Sequence, residues 1–311
     1  MTYKVLIGIN LNDEQKSVFE SIEDVQITYK NQHSLTKEDV LDKDIIVGNI
    51  APSLVQEASS LKFLQLNSAG YDNYMGILPS SVKLATAVGA FSPAVGEHML
   101  AMTFSLIRHF HLYRDKQLKH DWSDCGKIIS VENSTVAVLG LGDIGQSYAA
   151  KIKALGAAKV IGVRRNVKEK PDFVDSVYTL EQLDKVLPQA DIVAMVLPSS
   201  KQTVNLINEK TISMMKDGAY LINVGRGDAI NQEDLLKALR SGKLAGAALD
   251  VTQKEPLDKD DPLYSEPKVL LTPHVAGWFF LDETVNRIVR IASSNVKAFI
   301  KGLPLINDTE H

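Results

Sequence analysis

Short apolar runs alternate with amphipathic stretches along the first ninety residues. Runs at residues 4–9, 25–29, 44–47, 63–66 and 82–85 predict strands, and the stretches at 13–19, 37–41, 52–58 and 72–77 predict helices. Strands that alternate with helices in this way indicate an open parallel sheet with helices on both faces.

The same rhythm returns after a helical pattern that begins at Ser92. Strands are predicted at 136–139, 159–163, 173–177, 191–197, 219–224, 245–249 and 268–271, and helices at 143–155, 180–187, 210–215, 232–241 and 282–300. The predicted fold class is α/β, with two parallel-sheet domains of Rossmann-like or flavodoxin-like type. We expect the last helix to return to the first domain, because the second sheet is complete without it.

The helix that begins at Ser92 is predicted to run for about 20 residues, which is longer than one domain needs. Its apolar positions, three or four residues apart, are Val95, Met99, Met102, Leu106 and Phe110. We expect this helix to bridge the domains and to pack against a second subunit. His98, His109 and His111 lack the spacing of metal ligands, and we interpret them as surface or interface residues.

A glycine-rich turn follows the predicted strand at 136–139. Gly140, Gly142 and Gly145 have GxGxxG spacing, and the next helix begins near Asp143 and Ile144. This order of strand, turn and helix is typical of a dinucleotide-binding unit, in which the pyrophosphate lies at the helix N-terminus. We therefore predict these five residues as cofactor contacts, with an ordinary strand-to-helix turn as the alternative.

Arg164 and Arg165 directly follow the next predicted strand, at the position where NAD-binding units usually carry an acidic residue. Arginine pairs with a 2′-phosphate and stacks on adenine. The sequence therefore predicts a preference for NADP(H), with NAD(H) possible. The alternative is that the two arginines form a solvated strand edge.

The composition narrows the range of partners. The formal net charge is −4, so neither nucleic acid nor an anionic membrane surface is an expected partner. Cys125 is the single cysteine, which excludes an intramolecular disulfide and is compatible with a reducing compartment. We recognise no signal peptide, spanning segment or metal site, and we expect a cytoplasmic protein.

Two further loops follow predicted strands, where ligands bind in parallel α/β folds. The first loop has small side chains that expose backbone amides suited to a carboxylate, and it contains Ser68, Ala69 and Gly70. The second is expected to line the nicotinamide or the phosphates, and its candidate contacts are Leu197, Pro198 and Thr203. Plain turns would have similar sequences.

Three later strand ends carry complementary chemistry, at Arg226, Glu255 and His274. Reduction of a 2-keto acid needs a cation that holds the carboxylate and polarises the carbonyl, and an arginine fork provides one. It also needs a proton donor, and histidine titrates near working pH. A carboxylate against the imidazole favours its charged form and orients the ring. Each residue alone has a structural interpretation, but together they predict catalysis.

The chain resembles the D-isomer-specific 2-hydroxyacid dehydrogenase family over nearly its whole length. The segments that carry the resemblance are SAGYD (68–72), GEHMLAM (96–102), GLGDIG (140–145), INVGRGDAI (222–230), ALDVTQKEP (248–256) and TPHVAG (272–277). The resemblance implies a substrate domain at residues 1–98 and 280–311, and an NAD(P)-binding Rossmann domain inserted at 99–279. It also implies a homodimer built around the long helix.

The resemblance implies roles for individual residues as well. Arg226 would bind the substrate carboxylate and carbonyl, and His274 would be the acid/base, with Glu255 as its partner. The backbone of residues 68–70 would hold the carboxylate. Further cofactor contacts are expected at Val224, Gly225 and Asp250, the last of which would meet the nicotinamide carboxamide.

The function predicted from these features is NAD(P)H-dependent reduction of a small 2-keto acid, of the glyoxylate or hydroxypyruvate type, to the D-2-hydroxy acid. One alternative is an NAD-linked D-2-hydroxyacid or 3-phosphoglycerate dehydrogenase. Another is a dinucleotide sensor similar to the C-terminal binding protein corepressors. Tyr71, Tyr74, Trp278 and Phe279 are expected either to form an apolar wall for a substrate side chain or to pack the domain seam.

Overall fold

The structure is a computed structural model that describes residues 2–167, 170–277 and 281–309. The chain divides into two compact units. The first consists of Met1–Phe91 and Phe279–His311, and the second consists of Ser92–Trp278. The second unit is therefore inserted into the first along the sequence, and both contain a parallel sheet with helices, which confirms the predicted fold class.

The sheet of the first unit has five parallel strands: β1 (Tyr3–Ile7), β2 (Val25–Tyr29), β3 (Ile45–Val47), β4 (Phe63–Gln65) and β5 (Lys83–Ala85). Their order is β2-β1-β3-β4-β5, which is that of flavodoxin-like folds. The helices between the strands are α1 (Asp13–Glu20), α2 (Lys37–Val40) and α3 (Pro52–Glu57).

A core cluster lies on each face of the first sheet, and alternate residues of a strand point to opposite faces. Leu6 of β1 packs in a cluster with Val40 of α2 and Val55 of α3. Its neighbour Ile7 packs on the other face with Phe19 of α1. This burial on both faces explains why the central strand β3 is a continuous apolar run in the sequence, whereas the edge strand β2 alternates between apolar residues and exposed polar ones.

The second unit begins with α4 (Ser92–Ile107) and α5 (Phe110–Leu118). Its strands are β6 (Thr135–Leu139), β7 (Lys159–Val163), β8 (Ser176–Tyr178), β9 (Ile192–Met195), β10 (Ala219–Asn223), β11 (Leu244–Leu249) and β12 (Val269–Leu271). The helices that connect them are α6 (Asp143–Ala154), α7 (Leu183–Val186), α8 (Glu209–Met214) and α9 (Gln232–Ser241). All seven strands are parallel, in the order β12-β11-β10-β9-β6-β7-β8. The first six in sequence have the Rossmann order, which reverses between β6 and β9.

The last helix, α10 (Asp282–Ile300), packs on the first sheet, as predicted. Phe299 of α10 stacks on Phe63 of β4 with ring centroids 5.1 Å apart. The buried amide of Asn295 donates to Gln65 Oε1 at 2.7 Å and accepts from Ile306 N at 2.7 Å. These bonds fasten the C-terminal segment, whose pairing with β5 had no signal in the sequence. No helix in the described part of the chain is long and apolar enough to cross a bilayer.

The helix predicted to run for about 20 residues from Ser92 is interrupted, and its predicted length was therefore wrong. Its first four stripe residues, up to Leu106, are buried, but α4 ends at Ile107. His109 then takes a left-handed conformation with φ of 59°, and Phe110 starts α5 with 60% of its surface exposed. Left-handed residues at helix ends are usually glycine, so a histidine at this position gave no signal of a break.

Helix α4 packs closely on α6 within the second unit. Gly96 lies so near Ser147 that an added Cβ would stand 2.7 Å from its Oγ. Thr103 and Tyr148 share a buried hydrogen bond of 2.9 Å between their hydroxyls. Burial raises the pKa of Tyr148, which keeps its hydroxyl protonated and able to hold this bond.

Three shorter predictions were also inaccurate. The segment predicted as a helix at 72–77 contains only the 3-10 turn Asp72–Tyr74. The segment at 180–187 forms one α-helical turn, α7, flanked by 3-10 turns. The strand predicted at 173–177 is β8 at Ser176–Tyr178, because β8 is an edge strand whose position is decided by its pairing with β7.

Candidate active site

Most of the predicted site residues lie at one edge of the second unit. Parallel strands all end at the same edge of a sheet, and ligands bind in the crevice outside these ends. The first residues of interest beyond each strand are Gly140 after β6, Arg164 after β7, Leu197 after β9, Arg226 after β10, Asp250 after β11 and His274 after β12. The sheet therefore gathers six separate segments of sequence at one edge.

The glycine turn after β6 has no room for side chains at two of its positions. Gly140 has φ of 101°, and an added Cβ would overlap Val196 O. A Cβ on Gly145 would overlap Gly140 O. Helix α6 can therefore pack this closely against β6 only because both residues are glycine.

The N-terminus of α6 is open, which fits a dinucleotide pyrophosphate. Gly142 is its N-cap and provides no side-chain hydrogen bond to the first turn, whereas Asn208 and Asn231 cap α8 and α9. An added Cβ on Gly142 would meet no atom within 4 Å. The first turn of α6, which includes Asp143 and Ile144, thus presents its backbone donors beside free space.

Alanine substitutions should separate the two functions of this turn. Gly145→Ala is expected to lower the melting temperature and abolish dinucleotide binding, because its Cβ overlaps Gly140 O. Gly142→Ala should leave the melting temperature unchanged yet weaken dinucleotide binding at least about tenfold, because its methyl group would occupy the space at the helix N-terminus. Thermal unfolding and fluorescence titration measure the two effects. Unchanged affinity in Gly142→Ala would place the pyrophosphate elsewhere.

The two arginines expected near the 2′-phosphate follow β7, which is paired with β6 in the sheet. Arg164 is half-buried, and its backbone amide donates to Tyr178 O at 3.0 Å. Arg165 is exposed. Their place beside the glycine turn agrees with contact to the adenosine end of a dinucleotide.

The loops after β9 and β10 touch each other. An added Cβ on Gly225 would lie 2.6 Å from Leu197 N, while Val224 is buried beside it and Pro198 is exposed. Thr203 is buried, and its hydroxyl donates to Pro198 O at 2.7 Å. Thr203 therefore supports this loop from inside.

Asn223 at the end of β10 holds the turn that carries Arg226. Its buried side chain donates from Nδ2 to Arg226 O at 2.9 Å and accepts at Oδ1 from Gly225 N at 3.0 Å. The Arg226 guanidinium donates to Gly225 O at 2.9 Å. We did not predict a role for Asn223, although a polar residue inside an apolar strand was a usable signal.

His274 and Glu255 form a direct pair. His274 Nδ1 lies 2.6 Å from Glu255 Oε2, and Thr252 N donates to Glu255 Oε1 at 3.0 Å. The side chains of His274 and Glu255 are 53% and 36% exposed. A carboxylate only accepts hydrogen bonds, so Nδ1 carries a proton and Nε2 is the nitrogen left to face a ligand.

Asp250 fastens the loop that carries His274. Its carboxylate is buried, and Oδ1 accepts from Thr272 Oγ1 at 2.6 Å and from Val275 N at 2.9 Å. Oδ2 accepts from Ala276 N at 3.0 Å, and Asp250 O accepts from His274 N at 2.7 Å. Asp250 therefore bonds to residues that precede and follow His274 in the sequence. We had predicted Asp250 only as a contact of the nicotinamide, and not as a support for this loop.

The first unit contains the loop predicted to hold a carboxylate, directly after β4. Ser68 Oγ donates to Gly70 O at 2.7 Å, and Ala87 N donates to Ser68 O at 2.8 Å. Among the described residues, no group accepts a hydrogen bond from the amides of Ser68, Ala69 or Gly70. These amides are available to an anion.

Tyr74 does not line an apolar wall, because it belongs to the core of the first unit. It is buried, its hydroxyl donates to Ile50 O at 2.8 Å, and burial raises its pKa to about 12. Tyr71 packs against the same cluster. Trp278 and Phe279, which we expected to join them, lie outside the described residues.

The three histidines that we interpreted as surface or interface residues are all partly buried, and each has a polar partner within the second unit. His98 Nε2 lies 3.1 Å from Thr272 Oγ1 within the second unit. His111 Nδ1 lies 3.3 Å from Ser105 O, and burial lowers the pKa of His111. In the described ranges, no three side chains of the usual metal-ligand types come together.

Comparison with known proteins identifies the family. Residues 100–276 match the model of the D-isomer specific 2-hydroxyacid dehydrogenase NAD binding domain. The chain belongs to this family. A D-lactate dehydrogenase of Lactiplantibacillus plantarum is 34% identical to this dehydrogenase over 261 residues, which are 78% of this chain and 76% of the relative.

Solved structures of similar proteins cover the whole chain. A D-isomer specific 2-hydroxyacid dehydrogenase family protein of Aeromonas salmonicida is 32% identical, with a TM-score of 0.87 and coverage of 100% of this chain and 99% of that one. The NADPH-dependent glyoxylate/hydroxypyruvate reductase of Sinorhizobium meliloti is 26% identical, with a TM-score of 0.84 and coverage of 99% and 98%. The protein is therefore an NAD(P)-dependent D-2-hydroxyacid dehydrogenase, from a family that acts on small hydroxy and keto acids.

Proposed function

We propose that this dehydrogenase reduces a small 2-keto acid, of the glyoxylate or hydroxypyruvate type, to the D-2-hydroxy acid, with NADPH as the preferred reductant. The observation that carries the proposal is the 2.6 Å pair of His274 and Glu255 at the same sheet edge as the glycine turn. The Sinorhizobium reductase supports the choice of substrate and reductant. Pyruvate is also among the substrates to be tested, because the Lactiplantibacillus relative is a D-lactate dehydrogenase.

Each residue of the proposed site has its own role in this reaction. The dinucleotide, when bound, supplies the hydride. His274 gives the proton on Nε2 to the alcohol oxygen, while Glu255 at Nδ1 orients the ring. Arg226 binds the carboxylate and polarises the carbonyl, which its fork of donors suits. The amides of residues 68–70 bind the substrate carboxylate.

Substrate and cofactor are tested together by following NADPH and NADH oxidation in parallel. The panel contains glyoxylate, hydroxypyruvate, pyruvate and a branched 2-keto acid. Faster turnover of glyoxylate or hydroxypyruvate with NADPH is the expected result. Turnover of pyruvate alone would favour a D-lactate dehydrogenase, and dinucleotide binding without any turnover would favour the sensor alternative.

Cofactor preference should depend on Arg164. Arg164→Asp is expected to shift the ratio of NADPH to NADH specificity constants at least about tenfold toward NADH, because it replaces attraction to the 2′-phosphate with repulsion. The control is Arg240→Asp on α9, which makes the same charge change at an arginine paired with Glu266. Equal ratios in both variants would mean that the 2′-phosphate is bound elsewhere.

We also propose a homodimer that uses α5 and the segment after it. Phe110, Leu118 and Trp122 expose 60%, 64% and 102% of their reference surface, which is unusual for three large apolar side chains so close together in the sequence. Sedimentation velocity should detect a species of twice the chain mass, and a monomer at micromolar concentration would contradict the proposal. The cytoplasmic location remains an expectation from the composition.

A further inference from the structure

His98 stands apart from the other histidines of its region because it reaches the loop of the proposed proton donor. It lies on α4, and its ring Nε2 is 3.1 Å from Thr272 Oγ1 and 3.7 Å from Asp250 Oδ1. Its side chain is mostly buried. None of the roles considered above uses it.

The direction of these hydrogen bonds follows from counting protons. Thr272 has one hydroxyl proton, which it donates to Asp250 Oδ1 at 2.6 Å, because a carboxylate only accepts. The oxygen of Thr272 must then accept from His98, so His98 carries its proton on Nε2. The bonds thus run in one direction, from His98 through Thr272 to Asp250.

Asp250 continues this chain to the backbone around His274. It accepts from the amides of Val275 and Ala276, and its own carbonyl accepts from the amide of His274. His274 needs such support, because its φ of 54° lies in the left-handed region that residues other than glycine rarely adopt.

We propose that His98 is a positioning residue for the proton donor. By donating to Thr272 it orients the hydroxyl and the Asp250 carboxylate that together hold the backbone of His274. The assignment of proton transfer to His274 rests on the proposed function, but the positioning itself is a property of the protein without ligands.

The first test observes the His274 ring directly in the unliganded protein. Its Cε1–H resonance, identified by its loss in His274→Gln among the seven histidines, is compared across variants. His98→Leu removes the donor, and Thr272→Val removes the bridging hydroxyl at similar volume. Both should shift the His274 resonance. His98→Gln, whose amide retains a donor near the position of Nε2, should restore most of the wild-type shift.

The matched control is Thr103→Val, which also removes a buried hydrogen bond of α4. Thr103 bonds to Tyr148 and has no bond to the His274 loop. Thr103→Val should lower the melting temperature while leaving the His274 resonance unchanged. This comparison separates a local effect on the loop from general loosening of α4.

The second test is kinetic. His98→Leu and Thr272→Val should each lower kcat about tenfold and raise the solvent isotope effect on kcat, because a displaced imidazole slows proton transfer. The dissociation constant of the dinucleotide should stay within about twofold of wild type, since the glycine turn is unchanged. The double variant should be no slower than either single variant, because both remove the same chain of bonds.

Two results would overturn the proposal. One is an unchanged His274 resonance in both His98→Leu and Thr272→Val, and the other is multiplication of their kinetic effects in the double variant. If His98→Leu does not fold, Thr272→Val and His98→Gln decide the matter. A wild-type protein that reduces no 2-keto acid would refute the proposed function alone, because the resonance test needs no turnover.

Discussion

Replacement of His274 by alanine is expected to lower kcat for 2-keto acid reduction about a thousandfold, equivalent to about 4 kcal/mol of transition-state stabilisation. The imidazole is the only group that the proposed function assigns to proton transfer, and its Nδ1 is already bonded to Glu255 at 2.6 Å. Dinucleotide affinity should remain near the wild-type value, because the histidine lies outside the glycine turn. Steady-state kinetics and fluorescence titration measure the two quantities.

The left-handed backbone of His274 calls for a second variant. Asparagine tolerates this conformation better than alanine does, so His274→Asn separates loss of the imidazole from backbone strain. Both variants should lose turnover to a similar extent. Normal turnover in either one would remove His274 from the reaction, whatever the state of the loop.

Replacement of Arg226 by alanine should lower kcat/KM for the keto acid about a thousandfold, or about 4 kcal/mol, with little change in dinucleotide affinity. Alanine would remove both the hydrogen bonds to the substrate carboxylate and the polarisation of the carbonyl. Arg226→Lys should recover only a small part of it, because an ammonium group lacks the planar fork that binds a carboxylate through two hydrogen bonds.

Arg226 also stabilises the turn that carries it. The experiment must therefore separate loss of stability from loss of substrate binding. Its guanidinium donates to Gly225 O, and its carbonyl accepts from Asn223. Thermal unfolding of Arg226→Ala measures the loss of stability. Arg240→Ala on α9 is the control for removal of an arginine elsewhere in the second unit. A specificity constant equal to that of wild type would show that Arg226 does not contact the substrate.

Several features of this protein were readable from the sequence because they are local. Buried parallel strands are short apolar runs, and α9 and α10 were predicted with the bounds that the structure has. The GxGxxG spacing identified the turn after β6, because a Cβ on Gly145 would overlap Gly140 O only five residues away. Residues just beyond parallel strands must share one sheet edge, which is why Arg226 and His274 could be predicted as one group.

Other features depend on partners that are distant in the sequence. The bond between His98 and Thr272 joins residues 174 positions apart, so nothing near His98 distinguishes it from a surface histidine. The same holds for Asp250, whose carboxylate takes its partners from the loop after another strand. The length of α4 is also decided beyond its own sequence, since no glycine or proline marks the break at His109.

The sequence by itself therefore determined the two parallel sheets with their helices, the dinucleotide turn and the identity of the candidate catalytic groups. It could do so because hydrophobic periodicity, steric limits at glycine and the chemistry of side chains are properties of short segments. Only the tertiary structure decided how those groups are held. Asn223, Asp250 and His98 act through buried or part-buried hydrogen bonds. Such bonds form only when the folded chain brings a donor and an acceptor together away from water, and their partners cannot be chosen before the fold exists.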